Sequence, residues 1–378
     1  MIADEENVQL PISVGGTKCE LAAVGVESGR FLARSGRVEW VGLGVSSFAG
    51  FVDMVASQLK SLLNVASIQP ARVVHIGVAW PGPQVGNDCL ATFIPGGNTP
   101  QPFAALLQAA MAKSVDERFR TVPVTVRLDA IARATGESLP GGSLFRAPGG
   151  PTKAGILVNL ATGIAGGIVH GSPLLSAPGI GENYGQFGRF LFFHRGSETW
   201  DWRPSADGTV ASHGPDEIRW THLSAGPALA SRFGRWAAEN GVRAAGAPAE
   251  VREAFAHFAA PNALRHTVLE RMLLVWITAE ANRAPTGPVA EFVCRAGAEI
   301  GGALRLLLGV FSAYPIDRVI LAGGVGENFG RADSADCGVF LDSVRETLAR
   351  GDCLVARARL GVEAELLGFT PPAGKDVQ

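Results

Sequence analysis

The sequence predicts an α/β protein of two domains, each a mixed sheet flanked by helices. Three observations predict it. The chain has 378 residues, enough for about two hydrophobic cores. Each half opens on a strand–glycine turn–strand unit, VQLPISV-GGTK-CELAAVGV and AGILVNL-ATG-IAGGIVHG. Between the halves lies LPGGSLFRAPGGPT (139–152), rich in Gly and Pro and poor in apolar residues, which reads as a connection. The boundaries that follow are 1–138, a linker at 139–152, and 153–378.

The elements follow in order. Residues 8–40 read as three short strands separated by turn residues, an antiparallel meander. Residues 47–66 carry apolar positions at helical spacing. RVVHIGVAW (72–80) is a buried strand, stopped by Pro81-Gly82-Pro83. A helix at 102–113, a strand at 122–128 and a helix at 130–139 complete the first half. The second half gives strands AGILVNL, GIAGGIVHG and PLLSA. Residues 185–222 mix aromatics and charges without a clear period, and predict an irregular insertion. Helices are expected at 224–240, 247–259, 262–281 and 287–313. DRVILAGG (317–324) is a strand entering a glycine turn, DSVRETLAR a helix, and CLVARARL the last strand.

Composition narrows the function. Hydrophobic residues are 47% and charged residues 18%, a globular balance. The net charge of −2 gives no electrostatic basis for binding nucleic acid or an anionic membrane. The start, MIADEENVQLP, has no apolar h-region, so a secretory signal is not expected. Apolar stretches fall short of a membrane span. The five cysteines form no C-x-x-C pair, which predicts reduced thiols in a cytoplasmic protein and no structural zinc.

Three glycine-bearing segments are candidates for nucleotide. The first is Ser13-Val14-Gly15-Gly16-Thr17-Lys18, whose paired glycines let backbone N–H groups approach an anion. The second is Asn159–Gly167, with Thr162 and Gly163 at the turn. The third is Ala322-Gly323-Gly324-Val325-Gly326-Glu327-Asn328, where glycines clear space for adenine and ribose. Any one of these alone is more often a structural turn. No G-x-x-x-x-G-K-S/T occurs, which excludes a P-loop, and the G-x-G-x-x-G offset of a dinucleotide fold is missing. Ser57-x-x-Lys60 sits mid-helix without partner motifs and is a chance match.

Together these segments resemble the ROK sugar kinases. ISVGGTKCELAAV resembles the family's D-x-G-G-T-K phosphate turn, and IGVAWPGPQVGNDCLATFIPGGNTP its strand and sugar loop. VRLDAIARATGE resembles the segment carrying the catalytic aspartate. NLATGIAGGIVHG, LSAGPALASRFG, VILAGGVGENFG and GVEAELLGF follow in the family's order, so the resemblance runs from about residue 9 to 370. It implies a two-domain actin-like (ribonuclease H-like) fold, ATP with Mg²⁺, a sugar or sugar-like acceptor (hexose, aminosugar or C7-cyclitol) and a homodimer. The departures are specific. Ser13 stands where the family has an aspartate that acts on the Mg²⁺–phosphate complex. Leu128 replaces an asparagine that holds the sugar, and the zinc-binding cysteine cluster is absent. Gly185-Gln186-Phe187-Gly188-Arg189 matches the G-E-x-G-H frame with Gln for Glu and Arg for His, and Glu182 is a rival for the glutamate. These changes leave a second reading open, a binding protein that has lost catalysis. A repressor is disfavoured, because the first turn at residue 13 leaves no room ahead of it for a DNA-binding helix-turn-helix.

The resemblance assigns roles residue by residue. Asp129 is the expected base that takes the acceptor's proton; its bland reading is a helix N-cap. Gly97 and Asn98 would meet acceptor hydroxyls, or simply form a turn. Glu182 or Gln186 would hold hydroxyls, and Arg189 a polar or anionic acceptor group. Ser13, Gly15, Gly16, Thr17, Thr162, Gly163, Gly323, Gly324, Gly326 and Asn328 would line the nucleotide. Lys18 reads either as a phosphate ligand or as a strand-exposed charge.

Overall fold

The computed structural model of the chain describes residues 6–369, apart from 17, 41–42, 86–87, 91–93, 95–98, 147–152, 178–180, 206–208, 243–246, 261–265, 333–337 and 362. The first half contains β1 (Val8–Val14), β2 (Cys19–Gly25), β3 (Phe31–Val38), α1 (Phe48–Val65), β4 (Val73–Trp80), the short pair β5 (Gln84–Val85) and β6 (Asp88–Cys89), α2 (Phe103–Ser114), β7 (Val124–Leu128) and α3 (Asp129–Glu137). The second half opens with β8 (Ala154–Leu160), β9 (Ile164–His170) and β10 (Ser172–Pro173). Next come α4 (Phe187–Phe190), β11 (Leu191–His194), β12 (Thr199–Trp202), β13 (Glu217–Arg219) and α5 (Trp220–Ser224). A helical run follows: α6 (Gly226–Glu239), α7 (Ala249–Ala259), α8 (Thr267–Arg283) and α9 (Pro288–Val310). The last elements are β14 (Ile316–Ala322), α10 (Gly323–Asn328), α11 (Val339–Leu348), β15 (Leu354–Arg357) and α12 (Glu363–Leu367).

The duplication seen in the sequence is a duplication of topology. One sheet has the order β3-β2-β1-β4-β7, the other β10-β9-β8-β14-β15. In each, the strands around the glycine turn form an antiparallel hairpin, and two further strands add in parallel on the far side. The central strands β1 and β8 are buried along their whole length, as parallel pairing with both faces covered requires. The edge strand β3 is half polar. The helix start at α1 is capped by the Ser47 hydroxyl, which accepts from Gly50 N at 3.1 Å.

One expectation is corrected. Residues 185–222 are not irregular throughout: β12-β11-β13 form a small antiparallel sheet. Its aromatics pack inward, Trp202 against Phe187, Phe190 and Phe311, and Trp200 against Phe193 and Trp220. Aromatics on both faces of short strands hide the period of two. Beyond the last expected strand, residues 363–367 form α12. Leu366 packs with Ala22 and Val24, and Phe369 with Ala79 and Ala132, so this late segment belongs to the core beneath the first sheet. Part of the linker is also anchored: Leu144 is buried, and Ser143 N donates to Glu137 Oε2 at 2.7 Å.

Candidate active site

The glycines separate into two kinds. Gly323 (φ +80°) takes a left-handed backbone, and a Cβ there would fall 2.5 Å from Asn159 Oδ1; Gly326 is buried against Leu321. Folding demands glycine at Gly323. Gly16, Gly163 and Gly324 are different. None has a positive φ, all are exposed, and a Cβ on any of them would meet nothing within 4 Å. Nothing in the fold requires glycine at these three points, one on each predicted nucleotide turn. Open glycine backbone is what close approach of a ligand needs. Gly166 and Gly167, by contrast, lie inside β9. Their missing side chains make room for Phe187 and for the start of α3.

Asp129 is the first residue of α3, at the end of β7. Leu128 occupies the cap position, and Asp129 Oδ1 accepts from Ala130 N at 2.7 Å. The carboxyl is pushed up to about 7, first by burial and then by the charge of Glu365, while the Ala130 N–H and Arg133 pull the other way. The aspartate is therefore both a helix-start acid and a carboxyl poised to exchange a proton near neutrality.

Glu365 and Arg133 were not foreseen. Ser13 Oγ donates to Glu365 Oε2 at 2.5 Å, so a carboxylate stands beside the first turn although residue 13 has none. Arg133, one turn after Asp129, is 6% exposed. Its Nη1 lies 3.5 Å from Glu365 Oε1 and donates to Asn159 Oδ1 at 3.1 Å; its Nη2 donates to Glu327 Oε1. Glu327 Oε1 also accepts from Gly323 N at 3.0 Å. One guanidinium thus links the first turn through Glu365, the second through Asn159 and the third through Glu327. The sequence held the signal as charged residues, Arg133 and Glu365, inside otherwise small and apolar helix faces.

The approach of α12 to α3 makes these contacts. A Cβ on Gly136 would fall 1.9 Å from Ala364 O, and one on Gly368 would fall 1.9 Å from Ala132 O. Two glycines, one on each side, let the backbones touch and set Glu365 against Asp129.

Gly185 abuts Leu128 and the Gly166 carbonyl, which places Gln186, an expected acceptor residue, next to the end of β7. Gln186 is 5% exposed. Arg189 lies one turn beyond it, half-buried, and its pKa is lowered by burial and then by Arg219. Gly97, Asn98 and Thr17 lie outside the described residues, as does the side chain of Glu182. Thr162 and Asn328 are exposed beside their turns. Gly15 N donates to Lys18 O at 2.7 Å, closing the first turn, and Lys18 is partly buried with its pKa lowered by burial and then by Arg37.

Mg²⁺ arriving with a nucleotide needs only one or two protein carboxylates, because phosphates and water complete its shell. Glu365, with the Ser13 hydroxyl, fits that need. Among the described residues no group of three His, Cys, Asp or Glu side chains could hold a metal alone. No described helix is long and apolar enough to cross a membrane.

No protein-family model matches the sequence, and no curated protein does. Solved structures do match. The chain is similar to a ROK hexokinase from Thermus thermophilus (TM-score 0.62, 20% identity, covering 96% of this chain and 97% of that one). It is similar to a ROK family glucokinase from Streptomyces griseus, solved with glucose and AMPPNP (0.58, 21%, 96% and 98%). It is also similar to a ROK family transcriptional regulator, a homolog of the E. coli MLC protein (0.63, 16%, 97% and 77%). The protein has the two-domain actin-like ATPase fold that these ROK proteins share.

Proposed function

We propose that the protein is a ROK-type kinase that transfers the γ-phosphoryl group of ATP to a hydroxyl of a sugar or sugar-like small molecule. One observation carries the reading: a half-buried carboxyl, Asp129, held near neutral pKa beside three turns whose open glycines have no structural reason to be glycine. Phosphoryl transfer is mainly positioning and charge neutralisation. Asp129 receives the acceptor's proton and aims its oxygen. The N–H groups at Gly16 and Gly163 face the phosphates, and Gly324 leaves room for the nucleoside. Mg²⁺, when bound with ATP, neutralises phosphate charge, and Glu365 and Ser13 stand where they would hold it or its waters. Arg133 keeps the three turns in register and shares the Glu365 charge. The Glu365 contact favours a working enzyme over a catalytically lost binding protein, because it returns a carboxylate to the turn that lacks one.

The test is ADP release from a panel of hexoses, aminosugars, cyclitols and their acidic derivatives, for wild type and Asp129→Asn. Turnover on at least one acceptor, falling about 10²-fold or more in the variant, supports the reading. ATP binding without turnover on any acceptor supports the lost-catalysis reading instead.

A further inference from the structure

Buried hydrogen-bond donors without acceptors lie around Asn183, α4 and β13. Gln84 and Gln186 are each 5% exposed, and the Nε2 of each has no hydrogen-bond partner. Both are fixed by Asn183. Asn183 Oδ1 accepts from Gln84 N at 3.1 Å, its Nδ2 donates to Gln84 O at 2.9 Å, and its carbonyl accepts from Gln186 N at 3.0 Å. One turn on, Arg189 N donates to Gln186 O at 2.9 Å. Across from Arg189, on β13, stands Arg219, whose buried Nε also lacks an acceptor. The neighbouring Trp220 Nε1 lacks one as well.

The helix α4 that carries Arg189 packs against β13, which carries Arg219, and the charge of Arg219 lowers the pKa of Arg189. Among the described residues, no carboxylate pairs with either. The contrast is local. Arg203, joined to the same small sheet, bonds both Asp201 and Glu217. His222, close to Arg219, has its pKa lowered by burial, then by Arg219 and His213.

A buried donor without an acceptor is costly, and partly buried charge of one sign costs more when unpaired. A neutral sugar would accept some of these hydrogen bonds but would not neutralise two guanidinium groups. An oxyanion does both, and guanidinium binds carboxylate and phosphate with matched, two-pronged geometry. We propose that Arg189 and Arg219, with Gln84 and Gln186, bind an oxyanion carried by the acceptor. The acceptor is then an acidic polyol, a sugar acid or a sugar phosphate, and not a neutral hexose. The word acceptor rests on the kinase reading above; the anion site itself does not.

The experiment is calorimetric titration and thermal shift with glucose, glucuronate, glucose 6-phosphate and inorganic phosphate, with and without saturating ADP. At least one of the three anions should bind and raise Tm, more weakly as NaCl increases, while glucose at the same concentration does not. Glucuronate against glucose 6-phosphate separates carboxylate from phosphate. Arg189→Gln and Arg219→Gln should each weaken the anion about tenfold or more. Each should also raise the Tm of the ligand-free protein by removing buried like charge; an arginine with a purely structural role would lower it. Three results overturn the proposal: silence of all three anions, glucose binding as well as they do, or an anion response abolished by ADP, which places it in the nucleotide turns. ADP formation, followed in parallel with ATP, decides the kinase reading separately. Anion binding without turnover keeps the site and sinks the kinase; turnover of glucose but not its acidic forms does the reverse.

Discussion

Glu365 accepts the hydroxyl proton of Ser13 at 2.5 Å across a separation of 352 residues. The pair places a carboxylate on the first glycine turn from the far end of the described chain. If that carboxylate serves the Mg²⁺–nucleotide complex, Glu365→Gln raises the Mg²⁺ concentration giving half-maximal ADP formation severalfold. It also weakens Mn²⁺ binding in the presence of ADP, read by electron paramagnetic resonance. An unchanged Mn²⁺ affinity assigns Glu365 a purely structural part.

Ser13→Asp tests the same pair from the other side. Two carboxylates within hydrogen-bond distance repel unless a proton or a cation sits between them. The metal-free variant should therefore melt below wild type at pH 8. Mg²⁺ with ADP should return more of its Tm than the same addition gives wild type, and the half-maximal Mg²⁺ concentration should fall. A Tm equal to wild type in the metal-free state contradicts the short Ser13–Glu365 contact.

The pKa of Asp129 has a kinetic consequence. A base must be unprotonated, so kcat/KM should rise with pH through a limb centred near 7 and level above it. Glu365→Gln removes the second cause of the shift, and the limb should move toward lower pH. A limb that stays in place separates Glu365 from Asp129.

The same shift has a stability consequence of definite sign. The folded Asp129 carboxyl titrates near 7, against 3.8 in the absence of these surroundings. Between those values the folded state binds more protons than the unfolded state, so stability is lost as pH rises through that window. Asp129→Asn should gain on wild type in Tm from about pH 4 to 7 and hold the gain above, while losing turnover. A variant less stable than wild type at pH 8 reverses the sign and refutes it.

The glycines offer a paired test. Gly368→Ala drives a methyl against the Ala132 carbonyl, so the α3–α12 contact must open, at about 1–3 kcal/mol or more. Gly16→Ala and Gly163→Ala meet open space and should leave Tm within about a degree or two of wild type, while ATP affinity falls. Equal losses of Tm at all three positions would remove the distinction between packing glycines and ligand glycines.

Much of this was legible beforehand, for physical reasons that differ by element. The two sheets announced themselves because central strands buried on both faces read as unbroken apolar runs between turn residues. The order of segments around Asp129 was legible because glycine turns are short and local. The β11–β13 sheet was not, because aromatics on both faces erase the alternation. Neither was the α12 contact, since a five-residue helix carries too few turns for a period. Arg133 and Glu365 stand in the sequence only as charges among small and apolar helix residues, and their approach to each other is visible only in the fold. Arg219 and Gln84 were missed because being without a partner is a property of space and not of spacing.

The return of residues 363–369 to the first sheet has a temporal side. A ribosome delivers β1, β2 and β4 long before it delivers Leu366 and Phe369, which cover Ala22, Val24 and Ala79. Until then the early sheet carries an uncovered apolar patch and an open loop of more than three hundred residues, and closing that loop is slow work for a chain. Because the covering segment also carries Glu365, its docking brings that carboxylate to the Ser13 turn in the same step.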